Sequence, residues 1–361
     1  MSAQAQDRSP PFEPGQRAPD FLLPNPQGKL GRFYDRFLGN LVVLFFAPSY
    51  AAPGALAELL AFHERAEAFA GRTARIVAVS RDPAEANAAL AREHGLDFTL
   101  FSDPVGAISR GYGAKDAAGG LMSYVIDRNQ RVLAAHAGGK DHAQRALAFL
   151  GEVVAAPAPG RTVTAQAPVL LLPRVVEPAL CTWSISAWQA DHEEGEVRLR
   201  ARSAGEALSE AKTRAVDYSL KKRLDHRPDE ALNRALTEAV IGRIGPEVYK
   251  AFQFQIVAVE RFCIGAYMAG RGDYFRPHRD NTTKQTEKRR FAVTLNLNED
   301  YEGGGVRFPE FGEDTYRTPA GGALVFSCSL LHEAVPVTQG TRFAALSFMF
   351  GPGDVPAPPG G

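Results

Sequence analysis

Two domains of different class are predicted for this chain. The first is an α/β layered unit, and the second is a closed all-β barrel or jelly roll with supporting helices. Three observations predict this. Continuous apolar runs alternate with helical segments through the first half. A Pro/Ala-rich stretch then interrupts the pattern, and from Phe252 onward short strands follow one another between Gly, Pro and Asp turns.

The elements follow in order. Leu41 to Phe46 and Ala74 to Val79 are unbroken apolar runs, as expected for strands buried on both faces. Ala55 to Phe69 is rich in Ala, Leu and Glu and reads as a helix. Pro83 to His94 reads as another, with Gly95 at its C-cap. Ser123 to Asp127 and Arg131 to Ala135 form a hairpin over Arg128, Asn129 and Gln130, and a helix from Asp141 to Val154 closes the unit. The boundaries drawn are 1–155 for the first domain, 156–168 for the linker, 169–351 for the second domain and 352–361 for a Gly/Pro-rich tail expected to be disordered.

The second domain opens with a strand near Val169 to Leu172 and two amphipathic helices. Ser203 to Glu206 is a capping box for the first helix. Leu232, Leu236, Val240 and Ile244 form the apolar stripe of the second, over Asp229 to Ile244. Strands are expected at Phe252 to Ala258, Phe291 to Leu297, Ala323 to Phe326 and Arg342 to Phe350.

Composition narrows the function classes. With 41 basic and 41 acidic residues among 361, no long-range field draws the chain to nucleic acid or an anionic membrane. The local run Lys288 to Arg290 is expected to be a solvated strand entrance. No apolar stretch approaches the roughly 20 residues that span a bilayer, and residues 1–15 have no signal-peptide character. Cys181, Cys263 and Cys328 are isolated and read as buried small hydrophobes. The expected location is the cytoplasm, with no nucleic-acid or membrane partner.

The chemistry centres on His278-Arg-Asp280, with His332 far downstream. Two histidines and a carboxylate hold a metal on one face and leave the other open, as in non-heme Fe(II) oxygenases. Along a strand, residues i and i+2 face the same side, so His278 and Asp280 are expected to point together into the barrel. Arg342 shares a strand face with Ala344 and Leu346. An arginine turned into an apolar interior needs an anionic partner, and a dicarboxylate cosubstrate is one.

Tyr267 to Tyr274, His278-x-Asp280, Arg290 to Asn298, Gly303 to Phe308, Pro319 to Phe326 and His332 through Pro336 to Arg342 together resemble the prolyl 4-hydroxylase-like branch of Fe(II)/2-oxoglutarate dioxygenases. The resemblance covers roughly Val169 to Gly351 and implies a double-stranded β-helix. It implies Fe(II) on His278, Asp280 and His332, with the distal carboxylate of 2-oxoglutarate on Arg342 and contacts from Tyr267 and Asn296. It also implies hydroxylation of a C–H bond with succinate and CO2 as co-products, supported by L-ascorbate. Related halogenases carry a small residue at the carboxylate position, so Asp280 favours hydroxylation.

The first domain resembles a peroxiredoxin of thioredoxin fold. The segments that carry the resemblance are Gly15 to Phe21, Phe45 to Pro48, Val79 to Asp82, Phe101 to Pro104 and Tyr124 to Asp127. That family carries a Pro-x-x-x-Thr-x-x-Cys pattern. Counted from Pro48, the Thr position is Ala52 and the Cys position is Ala55, while Glu58 matches. The family's arginine falls near Leu121, and no cysteine precedes Cys181. A thiol peroxidase needs its thiolate, so this domain is expected to be inactive by that chemistry. Partner binding, homodimerisation and presentation of substrate are the roles left to it, beside a purely stabilising one. The competing reading for the whole chain is a non-enzymatic, redox-linked binding protein with both domains degenerate. The substrate, a protein prolyl residue or a small metabolite, is not legible.

Overall fold

The computed structural model describes residues 12–114, 120–153, 160, 162–198 and 214–354. The chain forms two compact units, Met1–Arg161 and Thr162–Gly361, whose division falls within the Pro/Ala-rich stretch. The expected capping box at Ser203 to Glu206 lies outside the described residues, as does the tail from 355.

The first unit is built on a five-stranded sheet in the order Thr99–Ser102, Ala74–Ser80, Leu41–Ala47, Met122–Ile126, Val132–Ala137. The first three strands run parallel, and the last two pair antiparallel. Every residue of Leu41–Ala47 is buried because the pleat sends alternate side chains into two cores. Val43 and Phe45 pack with Leu59, Phe62 and Leu150. Leu44 and Phe46 pack with Phe21, Tyr112 and Tyr124 on the opposite face. Full burial of each such side chain stabilises by about 1.5–3 kcal/mol. This is a thioredoxin-like layer.

The expected helix over Ala55 to Phe69 is broken into Ala55–Glu64 and Ala66–Gly71. Arg65 leaves helical geometry at φ −106°, ψ 11°, and its guanidinium donates to the Ala61 carbonyl instead. Ala84–His94 ends as expected at Gly95, whose φ of 64° is left-handed.

The second unit is a double-stranded β-helix. One sheet has the order Leu170–Leu172, Ala323–Ser327, Phe291–Asn296, Val337–Phe350, Cys263–Met268, Leu224–His226, Glu193–Glu194. The other has the order Lys221–Lys222, Tyr274–His278, His332–Ala334, Val306–Arg307, Thr315–Tyr316. The larger sheet packs one face on helices: Ile264, Val293, Leu295, Val325 and Ala345 meet the stripe Leu232, Leu236, Val240, Ile244. Its other face meets the smaller sheet through Ala292, Leu324, Phe326, Val306 and Phe308.

The helical stripe lies where the sequence placed it, and Asp229 caps it by accepting from the Leu232 amide. The helix runs Glu230–Ala239, widens to a π turn over Val240–Ile244 and continues as Gly245–Phe252. The strand expected at Phe252 to Ala258 is a correction. Phe252, Phe254 and Ile256 do alternate toward the core. However, only Ala258–Val259 finds a neighbouring strand, at Met349 and Phe350. Helix Pro178–Ala190 was not expected. Among the described residues no helix is long and apolar enough to cross a membrane.

Candidate metal centre

His278 ends the strand Tyr274–His278, and His332 begins the strand His332–Ala334 that pairs with it, His278 opposite His332. A register shift between Phe275 and His278 accommodates Pro277 inside the strand. Asp280 lies just past the strand end, where its amide donates to the Cys328 carbonyl at 3.0 Å. The three side chains converge. Nε2 of His278 is 3.4 Å from Asp280 Oδ1, and Nε2 of His332 is 3.4 Å from Asp280 Oδ2. All three ligand atoms lie within 4.8 Å of one another. Two ligands each about 2.1 Å from one ion, at right angles, stand roughly 3 Å apart, so the spacing suits a single metal.

The hydrogen bonds around the rings fix what they present. Nδ1 of His278 is 2.8 Å from the Arg276 carbonyl, and Nδ1 of His332 is 3.0 Å from that of Leu330. A carbonyl only accepts, so each Nδ1 carries a proton and each ring turns its Nε2 toward the centre. Burial, with His278 nearby, holds the His332 pKa below the ordinary imidazole value despite Asp280. Burial would raise the Asp280 carboxyl, yet His332, the His278 hydrogen bond and Arg289 keep it below the ordinary carboxylate range. Nε2 of both rings and the Asp280 carboxylate therefore converge on one point, His278 through a hydrogen bond to the acid. That arrangement is completed by a cation.

The centre opens into a cavity of about 680 Å³ between the two sheets, lined by His278, Asp280, His332, Tyr267 and Arg342 among others. Arg342 sits in Val337–Phe350 directly across from Tyr267. Its guanidinium carbon is 5.6 Å from the Tyr267 ring centre, and Nε is buried without a hydrogen-bond partner. At 4% exposure this charge has no carboxylate among the described residues. Gly304, at φ 66°, lets the backbone approach: a Cβ there would meet Val337 at 2.7 Å and the Arg342 stem at 3.2 Å. A dicarboxylate cosubstrate fits this orphaned donor.

Tyr267 lines the same cavity and accepts a hydrogen bond from Arg223 at 2.7 Å. Asn296 is buried off the cavity wall. Its amide donates to the Asn298 and Thr318 carbonyls and accepts from the Tyr301 hydroxyl. The structure thus groups five of the six expected residues in one cavity and places Asn296 behind it. Thr294, from the same strand as Asn296, is on the wall instead.

Sequence reasoning missed Lys221, Arg223 and Asp225, which also line the cavity. They alternate along one extended segment, and that period of two was the available signal. The Lys288 to Arg290 run does enter the strand Phe291–Asn296 with Lys288 and Arg290 exposed, and is corrected only at Arg289. Arg289 is 9% exposed, makes a bidentate pair with Glu260 and lies 3.6 Å above the Phe348 ring centre. Arg290 pairs with Asp354. Their partners come from distant segments, which local sequence cannot show.

Sequence profiles of two families match the chain. The 2OG-Fe(II) oxygenase superfamily covers residues 263–350, and the AhpC/TSA family covers residues 14–135. The chain joins an AhpC/TSA-family domain to a 2OG-Fe(II) oxygenase domain. The span matched by the oxygenase profile contains His278, Asp280 and His332, the three residues of the candidate metal centre. The peroxiredoxin-like domain is 30% identical over 119 residues to a chloroplastic peroxiredoxin Q of Sedum lineare, and 33% identical over 118 residues to that of Populus jackii. These matches take in 32% of this chain, and the chain spans 63% and 55% of those proteins. A crystal structure of peroxidoxin BcpB from Mycobacterium tuberculosis is 30% identical with a TM-score of 0.37, covering 40% of this chain and 99% of that one.

In the peroxiredoxin-like domain the positions of the thiol site are apolar. Ala55 opens the helix Ala55–Glu64 and is fully buried. It shares one hydrophobic cluster with Leu121 and, at the edge, Ala52. Glu58 remains, but its carboxylate accepts from the backbone amides of Asp141 and His142, both at 2.9 Å. It caps the start of a later helix, His142–Val153.

Proposed function

We propose that this chain is an Fe(II)- and 2-oxoglutarate-dependent dioxygenase that hydroxylates a C–H bond, prolyl hydroxylase-like in its site. One observation carries the reading: three converging ligand atoms and an orphaned buried guanidinium share one cavity. His278, Asp280 and His332 would hold the ion on one side, and their backbone-anchored rings keep the donor atoms aimed before it arrives. Iron bound there would couple oxidation of 2-oxoglutarate to succinate and CO2 with insertion of oxygen into the substrate. Arg342 pairs the distal carboxylate of the cosubstrate, and Tyr267 donates to it. Asn296 acts at one remove by fixing Tyr301, which packs beside Tyr267. The apolar residues Phe275, Phe326 and Phe348 on the cavity wall keep bulk water from the centre.

The peroxiredoxin-like domain serves as a non-catalytic module for a partner, a second copy or the substrate. The packing of Ala52, Ala55 and Leu121 in one core supports this. The three cysteines are unpaired, in keeping with a reducing, cytoplasmic setting.

The test is anaerobic addition of Fe(II) and 2-oxoglutarate to the full chain. Wild type is expected to give the visible charge-transfer band of the chelate, and His278→Ala is expected to lose it. An unchanged band in the variant overturns the ligand assignment. Aerobic incubation with ascorbate and candidate proteins or metabolites, read by mass spectrometry for oxygen addition, then identifies the substrate.

A further inference from the structure

Lys221, Arg223 and Asp225 form a buried charge cluster in the cavity wall that the metal centre does not use. The segment passes from one sheet to the other at Arg223. Lys221 and Lys222 pair with Phe275 and Tyr274, whereas Leu224 to His226 pair with the strand Cys263–Met268. Asp225 binds both cations: Arg223 through Nε at 2.5 Å and Nη2 at 3.3 Å, and Lys221 at 3.0 Å. The side chains are 4%, 7% and 12% exposed for Lys221, Arg223 and Asp225. With its Nε edge fixed on Asp225, Arg223 extends Nη1 to the Tyr267 hydroxyl at 2.7 Å, and its carbon sits 5.3 Å from that ring centre.

A guanidinium has no acceptor, so in this bond Tyr267 must accept. The hydroxyl proton is then left over, and no described residue accepts it. The Tyr267 ring lies between two cations, Arg223 and the orphaned Arg342. We propose that Arg223, locked by Asp225, is a positioning residue that fixes the Tyr267 hydroxyl as a donor to the carboxylate held by Arg342. The inference rests on the cosubstrate reading above. Arg223 does not touch the cosubstrate. It removes the hydroxyl's freedom to turn and, by donating to its oxygen, strengthens it as a donor.

The experiment is anaerobic titration of the Fe(II)-loaded full chain with 2-oxoglutarate, read by the visible band, for Arg223→Lys, Tyr267→Phe and the double variant. Lysine keeps the charge beside Asp225 but cannot hold Asp225 and Tyr267 together through one planar fork. Each single variant is expected to raise the dissociation constant about tenfold, and the double variant no further, because both remove one hydrogen bond. In Arg223→Lys the affinity for Fe(II) stays unchanged, whereas a merely structural role would move the melting temperature and the metal affinity as well. If Arg223→Lys does not fold, the pair Arg223→Gln with Asp225→Asn removes one charge of each sign and takes its place. Tyr267→Phe weakening the cosubstrate while neither Arg223 variant does, or effects that multiply in the double variant, overturns the proposal. A wild-type protein that gives no band overturns the cosubstrate reading itself, and the two failures are told apart.

Discussion

Replacement of Arg342 by methionine separates a binding group from a structural one. In the apo protein the guanidinium is buried at 4% exposure, its Nε has no partner, and no carboxylate among the described residues offsets its charge. Such a group costs folding about 1–3 kcal/mol for the unmade hydrogen bond alone. Methionine keeps the stem that packs at Gly304 and removes the charge, so the apo variant is expected to be as stable as wild type or more stable, by about 1–3 kcal/mol. Binding moves the opposite way. Loss of two charge-assisted hydrogen bonds to a carboxylate, about 1.5–3 kcal/mol each, weakens 2-oxoglutarate by roughly a hundredfold to ten-thousandfold. Urea denaturation of the apo chain reads the first quantity. The second is read by cosubstrate protection with Fe(II) present: ligand at a hundredfold its dissociation constant stabilises wild type by about 2.7 kcal/mol and should leave the variant where it was. A variant destabilised by more than about 1 kcal/mol with cosubstrate affinity intact would falsify the argument and make Arg342 a packing residue.

Three further outcomes follow from the same reasoning. Ala55→Cys is expected to restore no peroxidase activity. The new thiol would sit among Leu59, Leu121 and Ala52 with its pKa raised by burial, so slow alkylation below pH 8 and no peroxide consumption are the readouts, and rapid turnover would refute the reading. Glu58→Ala uncovers the amides of Asp141 and His142 and should lower the stability of the first unit by about 1–3 kcal/mol in thermal unfolding, with Glu58→Gln milder. Burial raises the Asp225 carboxyl, but Arg223 and Lys221 outweigh it and set the folded pKa below the ordinary 3.8. Its stabilisation is therefore complete above pH 3.8 and lost as pH falls through the folded value, and Asp225→Asn should flatten the acid limb of the stability curve.

What the sequence made legible was whatever a local period could carry. Leu232, Leu236, Val240 and Ile244 repeat at helical spacing and all reach the core. Leu41 to Phe46 needs only its own composition to be placed between two apolar layers. Arg342 and Leu346, read as sharing a strand face, both line the cavity. The helix Pro178–Ala190 was missed because its buried face is Cys181, Ser184 and Trp188, a mixed set with weak apolar contrast. Asn296 has the same strand phase as Thr294, and phase alone cannot show that Tyr301, Asn298 and Thr318 occupy its amide. Arg289 reads as a solvated charge and Arg223 goes unnoticed because Glu260, and the tyrosine on the Cys263–Met268 strand, approach only in the folded chain.

The two units differ in what their buried polar groups converge on, and that difference bears on whether both are degenerate. In the peroxiredoxin-like unit the positions of a reactive thiol, its hydroxyl partner and its arginine hold Ala55, Ala52 and Leu121, and these side chains join the core. Glu58, the one polar residue kept there, is fully hydrogen-bonded to backbone. Among the described residues Tyr50 Oη and His142 Nε2 are buried there without a hydrogen-bond partner, but no cluster of metal-ligating side chains forms around them. The oxygenase unit brings two histidines and a buried carboxylate together on one point, and keeps an arginine without an anion in the same cavity. A cation and a dicarboxylate would complete them. A unit serving only as a binding scaffold would be more stable without them. The converging ligand set and the unpaired arginine therefore favour the second unit as the seat of chemistry.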